Sequence, residues 1–175
     1  MPKVKKRSPT RETSLRRDLV VVGIDPGASG GICVLVRGEH VSSFNTPDTV
    51  SDALDLFRDV DHGMGMGETL RIVAYMEKVG GYAGVNRPGS RMFNFGRGVG
   101  ILETAVASAG IRLEFVTPGV WQKHFSINRK PDEKDNAFKN RLKAKAQQLH
   151  PKVKVTLKTA DALLIATYGH RNYRG

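Results

Sequence analysis

The stretch LVVVGIDPGASGGICVLV, residues 19–36, decides the fold. Leu19 to Ile24 is a continuous apolar run, and it meets a turn at Asp25-Pro26-Gly27. A second β-branched run, Ile32 to Val36, follows directly on Gly30-Gly31, so the two runs read as a hairpin. Asp25 therefore ends a buried strand, an unusual place for a charge.

Outward from this hairpin, His40 to Phe44 reads as a third strand. Thr49 to Val60 carries Val50, Ala53, Leu54, Phe57 and Val60 at helical spacing, with Thr49 or Ser51 as its cap. Leu70 to Met76 is another apolar strand, and Glu77 stands at its end. The Gly-, Pro- and Arg-rich segment 80–91 reads as a loop. Met92 to Ala109 is a long helix stopped by Gly110. Leu113 to Val116 is a fifth strand, and Pro118 to Phe125 a short helix with Pro118 in its first turn. Asp132 to Leu149 is a basic helix, Val153 to Leu157 a short extended piece, and Thr159 to Tyr168 an apolar helix ending at Gly169. Three early strands joined by tight turns are antiparallel, and strands separated by helices are parallel to their neighbours. The expected fold class is α/β: a mixed five-stranded sheet flanked by helices.

The chain has 175 residues and a formal net charge of +11. Its length suits one compact domain plus a tail. Residues 1–17 carry a net +6 and read as a basic flexible arm, and residues 18–175 as the folded domain. Within that domain, residues 18–117 are net −4 and residues 118–175 net +9. Basic surface around an acidic focus suits a protein that grips a polyanion and does metal chemistry on it. The single cysteine, Cys33, excludes a disulfide framework and a Cys-based zinc site, and points to a reducing compartment. No apolar run approaches the ~18 residues of a membrane span, and no secretory signal is visible. A cytoplasmic setting, or an organellar stroma or matrix, is expected.

Three carboxylates carry the chemistry. Asp25 and Glu77 end buried strands, and Asp161 opens an otherwise apolar helix. Strand ends and helix starts at one edge of a sheet can converge. Clustered carboxylates repel one another and resist burial unless cations neutralise them. Oxygen donors without thiols select Mg²⁺, with Mn²⁺ as a substitute. Two such ions would bracket a scissile phosphate, one activating water and one stabilising the leaving 3′ oxygen. Taken singly, each acid has an ordinary explanation: a turn former, a partner for a nearby cation, or a charge complementing a helix dipole.

The ordered set resembles a known family. Gly23-Ile24-Asp25-Pro26-Gly27 with Gly30-Gly31-Ile32 resembles the opening hairpin of the RuvC-like Holliday-junction resolvases. Glu77-Lys78-Val79 resembles their second acidic motif. The run 95–100 (FGRGVG) resembles the helix that follows. Thr117-Pro118-Gly119-Val120-Trp121-Gln122-Lys123 resembles the approach to the basic helix, and the run 159–166 (TADALLIA) the last acidic motif. The likeness spans residues 20–170 and is nearest to the phage and organellar branch. It implies an RNase H-like fold, a homodimer, Mg²⁺ held by Asp25, Glu77 and Asp161, and paired nicks across a four-way junction. Two departures stand out. The family usually has a further acid or histidine three or four positions before the last Asp, and here Leu157 and Lys158 occupy those positions. Lys158 would then act as an electrostatic group toward phosphate or water. Three residues after Glu77, where bacterial members often carry an aromatic, stands Gly80, with Tyr82 the nearest aromatic.

DNA contacts are expected from the basic helix and its approach, through Lys123, Arg129, Lys130, Lys139 and Lys143. The 80–91 loop offers Tyr82, Arg87 and Arg91 to unstacked bases. Trp121 and Cys33 read as core, and Gly96, Gly98 and Gly100 as residues permitting close helix packing. The alternatives are a flap or branched-DNA nuclease of the same fold, and a junction-binding protein whose catalysis Lys158 weakens. An ATP-binding protein of the actin and sugar-kinase kind shares such a hairpin but needs a second subdomain, so no nucleotide cofactor is expected.

Overall fold

The computed structural model describes residues 18–27, 29–64, 70–78, 80 and 89–175. The strands are β1 (Leu19–Asp25), β2 (Gly31–Val36), β3 (Glu39–Asn45), β4 (Arg71–Glu77) and β5 (Arg112–Val116). The helices are α1 (Val50–Met64), α2 (Gly89–Ser108), α3 (Pro118–His124), α4 (Asp135–Leu149) and α5 (Ala160–Asn172). The sheet order is β3-β2-β1-β4-β5. β1 pairs antiparallel with β2, and β2 with β3; β1 pairs parallel with β4, and β4 with β5.

The apolar run of β1 is unbroken because both faces of the sheet are covered. Val20, Val22 and Ile24 pack with Phe57 of α1 and Leu102 and Val106 of α2. Leu19 and Val21 pack on the other face with Trp121 of α3, Leu142 of α4 and Leu163 to Ala166 of α5. Side chains alternate across a strand, so a central strand between two helical layers must be apolar at every position.

Thr49 caps α1, its Oγ1 accepting the Asp52 amide at 3.1 Å. The basic helix starts at Asp135 rather than Asp132. Asp132 has φ 59°, outside the right-handed helical region. Val153 to Leu157 is a connection outside the sheet, with a bend at Val153, irregular backbone over 154–156 and a turn from Leu157. The Gln147 side chain takes up that backbone, donating to the Val153 carbonyl at 2.8 Å and accepting the Val155 amide at 3.3 Å. α5 runs on through Gly169 to Asn172. Gly169 serves close packing instead: a Cβ there would strike the Tyr75 ring of β4.

Candidate active site

Register and alternation build this site. Ile24 and Met76 are aligned in the β1–β4 pair, and both belong to the core beneath α1 and α2. The next residue on each strand therefore points to the opposite layer. Those residues are Asp25 and Glu77, on neighbouring parallel strands about 5 Å apart.

Asp161 comes to them from that layer. α5 lies directly on β1 because Gly23 has no side chain: a Cβ there would run into the Ala162 carbonyl and the Ala166 amide. The entry to α5 is fixed by two threonines. The Thr156 amide donates to Thr159 Oγ1 at 3.1 Å, and the Thr159 amide to Thr156 Oγ1 at 3.2 Å. With α5 pinned at Gly23, its second residue sits at the same end of the sheet as Asp25.

The electrostatics record the convergence. Burial pushes the Asp25 carboxyl up, opposed by the Gly27 amide and by the charge of Lys139. Burial and then the charge of Asp25 push Asp161 up to about 7, again opposed by Lys139. Burial, Asp25 and Asp161 push Glu77 up to about 7, against a hydrogen bond from Trp121. The indole Nε1–H donates to Glu77 Oε2 at 2.9 Å. Trp121, fully buried, thus does more than fill the core: it orients a carboxylate. Its place in the sequence, between Val120 and Gln122, gave no signal of that role.

The residues fit a hard dication in donor chemistry: three carboxylate groups, no thiol, and a shared excess of buried negative charge. Among the described residues, no three His, Cys, Asp or Glu side chains stand together at coordinating distances.

The structure separates the basic residues by task. Lys139, on α4, is the lysine whose charge acts on Asp25 and Asp161. Lys158 is exposed, and its carbonyl lies against Gly31 at the start of β2. It does not figure among the charges acting on those two acids. Arg129 is engaged within the fold, ion-paired with Asp135 and donating to the Glu133 carbonyl at 3.0 Å. Arg141 Nη1 reaches both carboxylate oxygens of Glu133 at 2.7 and 2.9 Å. This pairing ties the loop before α4 to the helix itself. Lys123, Lys130 and Arg91 are exposed, and Lys143 is half-buried. Tyr82 and Arg87 lie outside the described residues, as does the arm 1–17. Cys33 is buried with its Sγ 3.1 Å from Ser43 Oγ, and burial pushes its thiol up to about 11. A thiol so buried and so weakly acidic is a poor nucleophile.

No protein-family model matches this sequence, and no curated protein matches it. Solved structures do. A Thermus thermophilus RuvC in complex with a Holliday junction substrate is similar at TM-score 0.58 and 17% identity, covering 85% of this chain and 90% of that one. A second T. thermophilus RuvC structure is similar at TM-score 0.55 and 18% identity, covering 85% and 91%. At this identity the likeness establishes architecture. The chain has the RuvC-like, RNase H-type fold.

Proposed function

We propose that this protein is a metal-dependent, structure-selective DNA endonuclease that resolves four-way junctions by paired nicks. The observation that carries the reading is the convergence of Asp25, Glu77 and Asp161, all with raised pKa values, at one end of a RuvC-like sheet. That a structural neighbour was solved on a Holliday junction supports the choice of substrate. The net +9 of residues 118–175, which include Lys139 beside the two aspartates, supports DNA as the polyanion.

Asp25, Glu77 and Asp161 would hold Mg²⁺, which supplies Lewis-acid polarisation of the scissile phosphate and a more acidic bound water. The protein's own groups do the rest. Trp121 fixes the orientation of Glu77. Lys139 places positive charge beside the two aspartates, where it attracts a phosphodiester. The buried setting excludes bulk water and strengthens each of these interactions. A homodimer would place two such sites on one junction. Phe93 on α2 is 71% exposed, and Gly96, Gly98 and Gly100 on the same helix have open space around them. That surface is suited to a second copy.

The test is a synthetic four-way junction incubated with the full chain and Mg²⁺, with cleavage ends mapped on denaturing gels. Symmetric nicks that vanish in Asp25→Asn support the proposal. Equal cutting of flaps and three-way branches would support the looser nuclease instead. No cutting despite tight junction binding favours a second reading, a junction-binding protein with weakened catalysis. That no three His, Cys, Asp or Glu side chains stand at coordinating distances among the described residues, and that Lys158 stands where an acid is expected, lend that reading support. Lys158→Asp should then raise cutting.

A further inference from the structure

A cavity of about 490 Å³ lies at the other end of α5 from Asp161. It is bounded by the end of β2, the start of β3, the turn after α4 and the C-terminal half of α5. Its wall carries three fixed cations, Arg37, Lys152 and Arg171, and three imidazoles, His40, His150 and His170. Among the described residues, Glu39 is the one carboxylate on the wall. Three segments distant in sequence, the β2–β3 hairpin, the turn after α4 and the end of α5, thus bring cations to one concave place at the opposite end of α5 from Asp161. Nothing in the proposed nicking chemistry uses them.

We propose that this cavity is a phosphate-binding site, taking a phosphate monoester or a phosphodiester of nucleic acid. Among the described residues, the fixed charges of Lys152 and Arg171 face the single carboxylate of Glu39. The partial negative charge at the C-terminal end of α5 opposes an anion, but it falls off within a turn and amounts to about half a charge. The cations therefore win. Arginine and lysine in a concave wall match a phosphate's oxygens geometrically as well as in sign. Among the described residues, neither Lys152 nor Arg171 pairs with a carboxylate. Arg171 instead lies over the Phe125 ring at 5.6 Å, which holds its guanidinium in place at the rim.

The histidines add a proton linkage. Burial lowers the His40 imidazole, whose Nε2 lies 2.7 Å from Ser43 Oγ. Burial, His40 and Arg171 lower His150. Thr167 Oγ1 donates its proton to the Leu163 carbonyl at 2.7 Å, so toward His150 Nε2, 2.8 Å away, it accepts. His150 therefore carries its proton on Nε2, and acid adds a second one at Nδ1. The groups facing these imidazoles are Arg37, Glu39, Lys152, His170 and Arg171. A bound anion favours the added protons, so protons and anion bind together.

The test is calorimetric titration of the full chain with sodium sulfate, a phosphate-like anion whose charge stays fixed from pH 6 to pH 8. Ionic strength is held constant with chloride. Saturable binding that tightens at pH 6 is expected. Lys152→Gln and the double variant Lys152→Gln/Arg171→Gln alter exposed side chains, and circular dichroism checks that they fold. Each lost charged contact should weaken sulfate about tenfold. Absence of saturable binding at pH 6 overturns the proposal. So does an affinity unchanged in the folded double variant. Titrations with adenosine monophosphate and with a duplex identify the source. If the double variant lowers the salt slope of duplex binding by about two, the ligand is the DNA backbone. If it abolishes mononucleotide binding and leaves that slope intact, the ligand is a free phosphomonoester. Neither result depends on nuclease activity.

Discussion

Replacing Asp161 with Asn should stabilise the folded protein at pH 8 while abolishing nicking. The reasoning starts from the cost of ionising a buried acid. In the unfolded chain Asp161 ionises near 3.8, and in the folded protein at about 7. Between these values the native state holds a proton that the unfolded state has released. Stability therefore falls as pH rises through that window, and the loss is complete above pH 7. A rise from 3.8 to about 7 corresponds to about 4 kcal/mol at ~1.4 kcal/mol per tenfold change. Part of this belongs to the shared charge of Asp25, which also titrates, so about 2–4 kcal/mol is the expected gain. Asn keeps the shape and removes the charge. Urea denaturation of both proteins, in chelator, from pH 4 to pH 8 isolates the effect. The variant-minus-wild-type difference cancels the histidines, which titrate in both. That difference should grow by about 2–4 kcal/mol toward pH 8. Mg²⁺ at pH 8 should restore wild-type stability and leave the variant little changed. A difference that stays flat from pH 4 to pH 8 would refute the argument that Asp161 is buried among like charges.

Other substitutions probe the same geometry. Trp121→Phe removes the hydrogen bond that lowers Glu77, so the acid limb of the pH–rate profile for junction nicking should move to higher pH, with the fold retained by circular dichroism. Gly23→Ala forces a methyl into the backbone of α5 and should cost about 3 kcal/mol or prevent folding, read by urea denaturation. Lys139→Gln removes the cation beside Asp25 and Asp161. Nicking should fall, and the salt dependence of junction binding should drop by about one counterion, measured by fluorescence anisotropy. Arg129→Gln, by contrast, should leave that salt slope unchanged, because Arg129 is spent on Asp135 and the Glu133 carbonyl.

Much of the fold was legible because each element carries a local signal. Asp25-Pro26-Gly27 ends β1, Thr49 caps α1 and Pro118 opens α3. These are short-range effects of backbone sterics and capping. Gly169 reads as a helix stop, yet its lack of a side chain answers to Tyr75 on another element, so a tertiary neighbour overrides a local preference. The basic helix starts three residues later than its composition suggests for a local reason, the positive φ of Asp132. Val153 to Leu157 is the short connection expected, its backbone taken up by Gln147.

The candidate site divides the same way. Sequence alone determined that Asp25 and Glu77 end strands and that Asp161 opens a helix, because those positions follow from periodicity and turn chemistry. It also determined the uneven charge, since that is a count. Tertiary structure decided which charges act together. Gly23 seats α5 against β1 and so brings Asp161 to Asp25, and Trp121 reaches Glu77 across 44 residues. Lys139, rather than Lys158, bears on the aspartates although Lys158 is nearer to Asp161 in the chain. Electrostatic coupling depends on distance through the folded protein and on the low dielectric between groups. Separation along the sequence fixes neither.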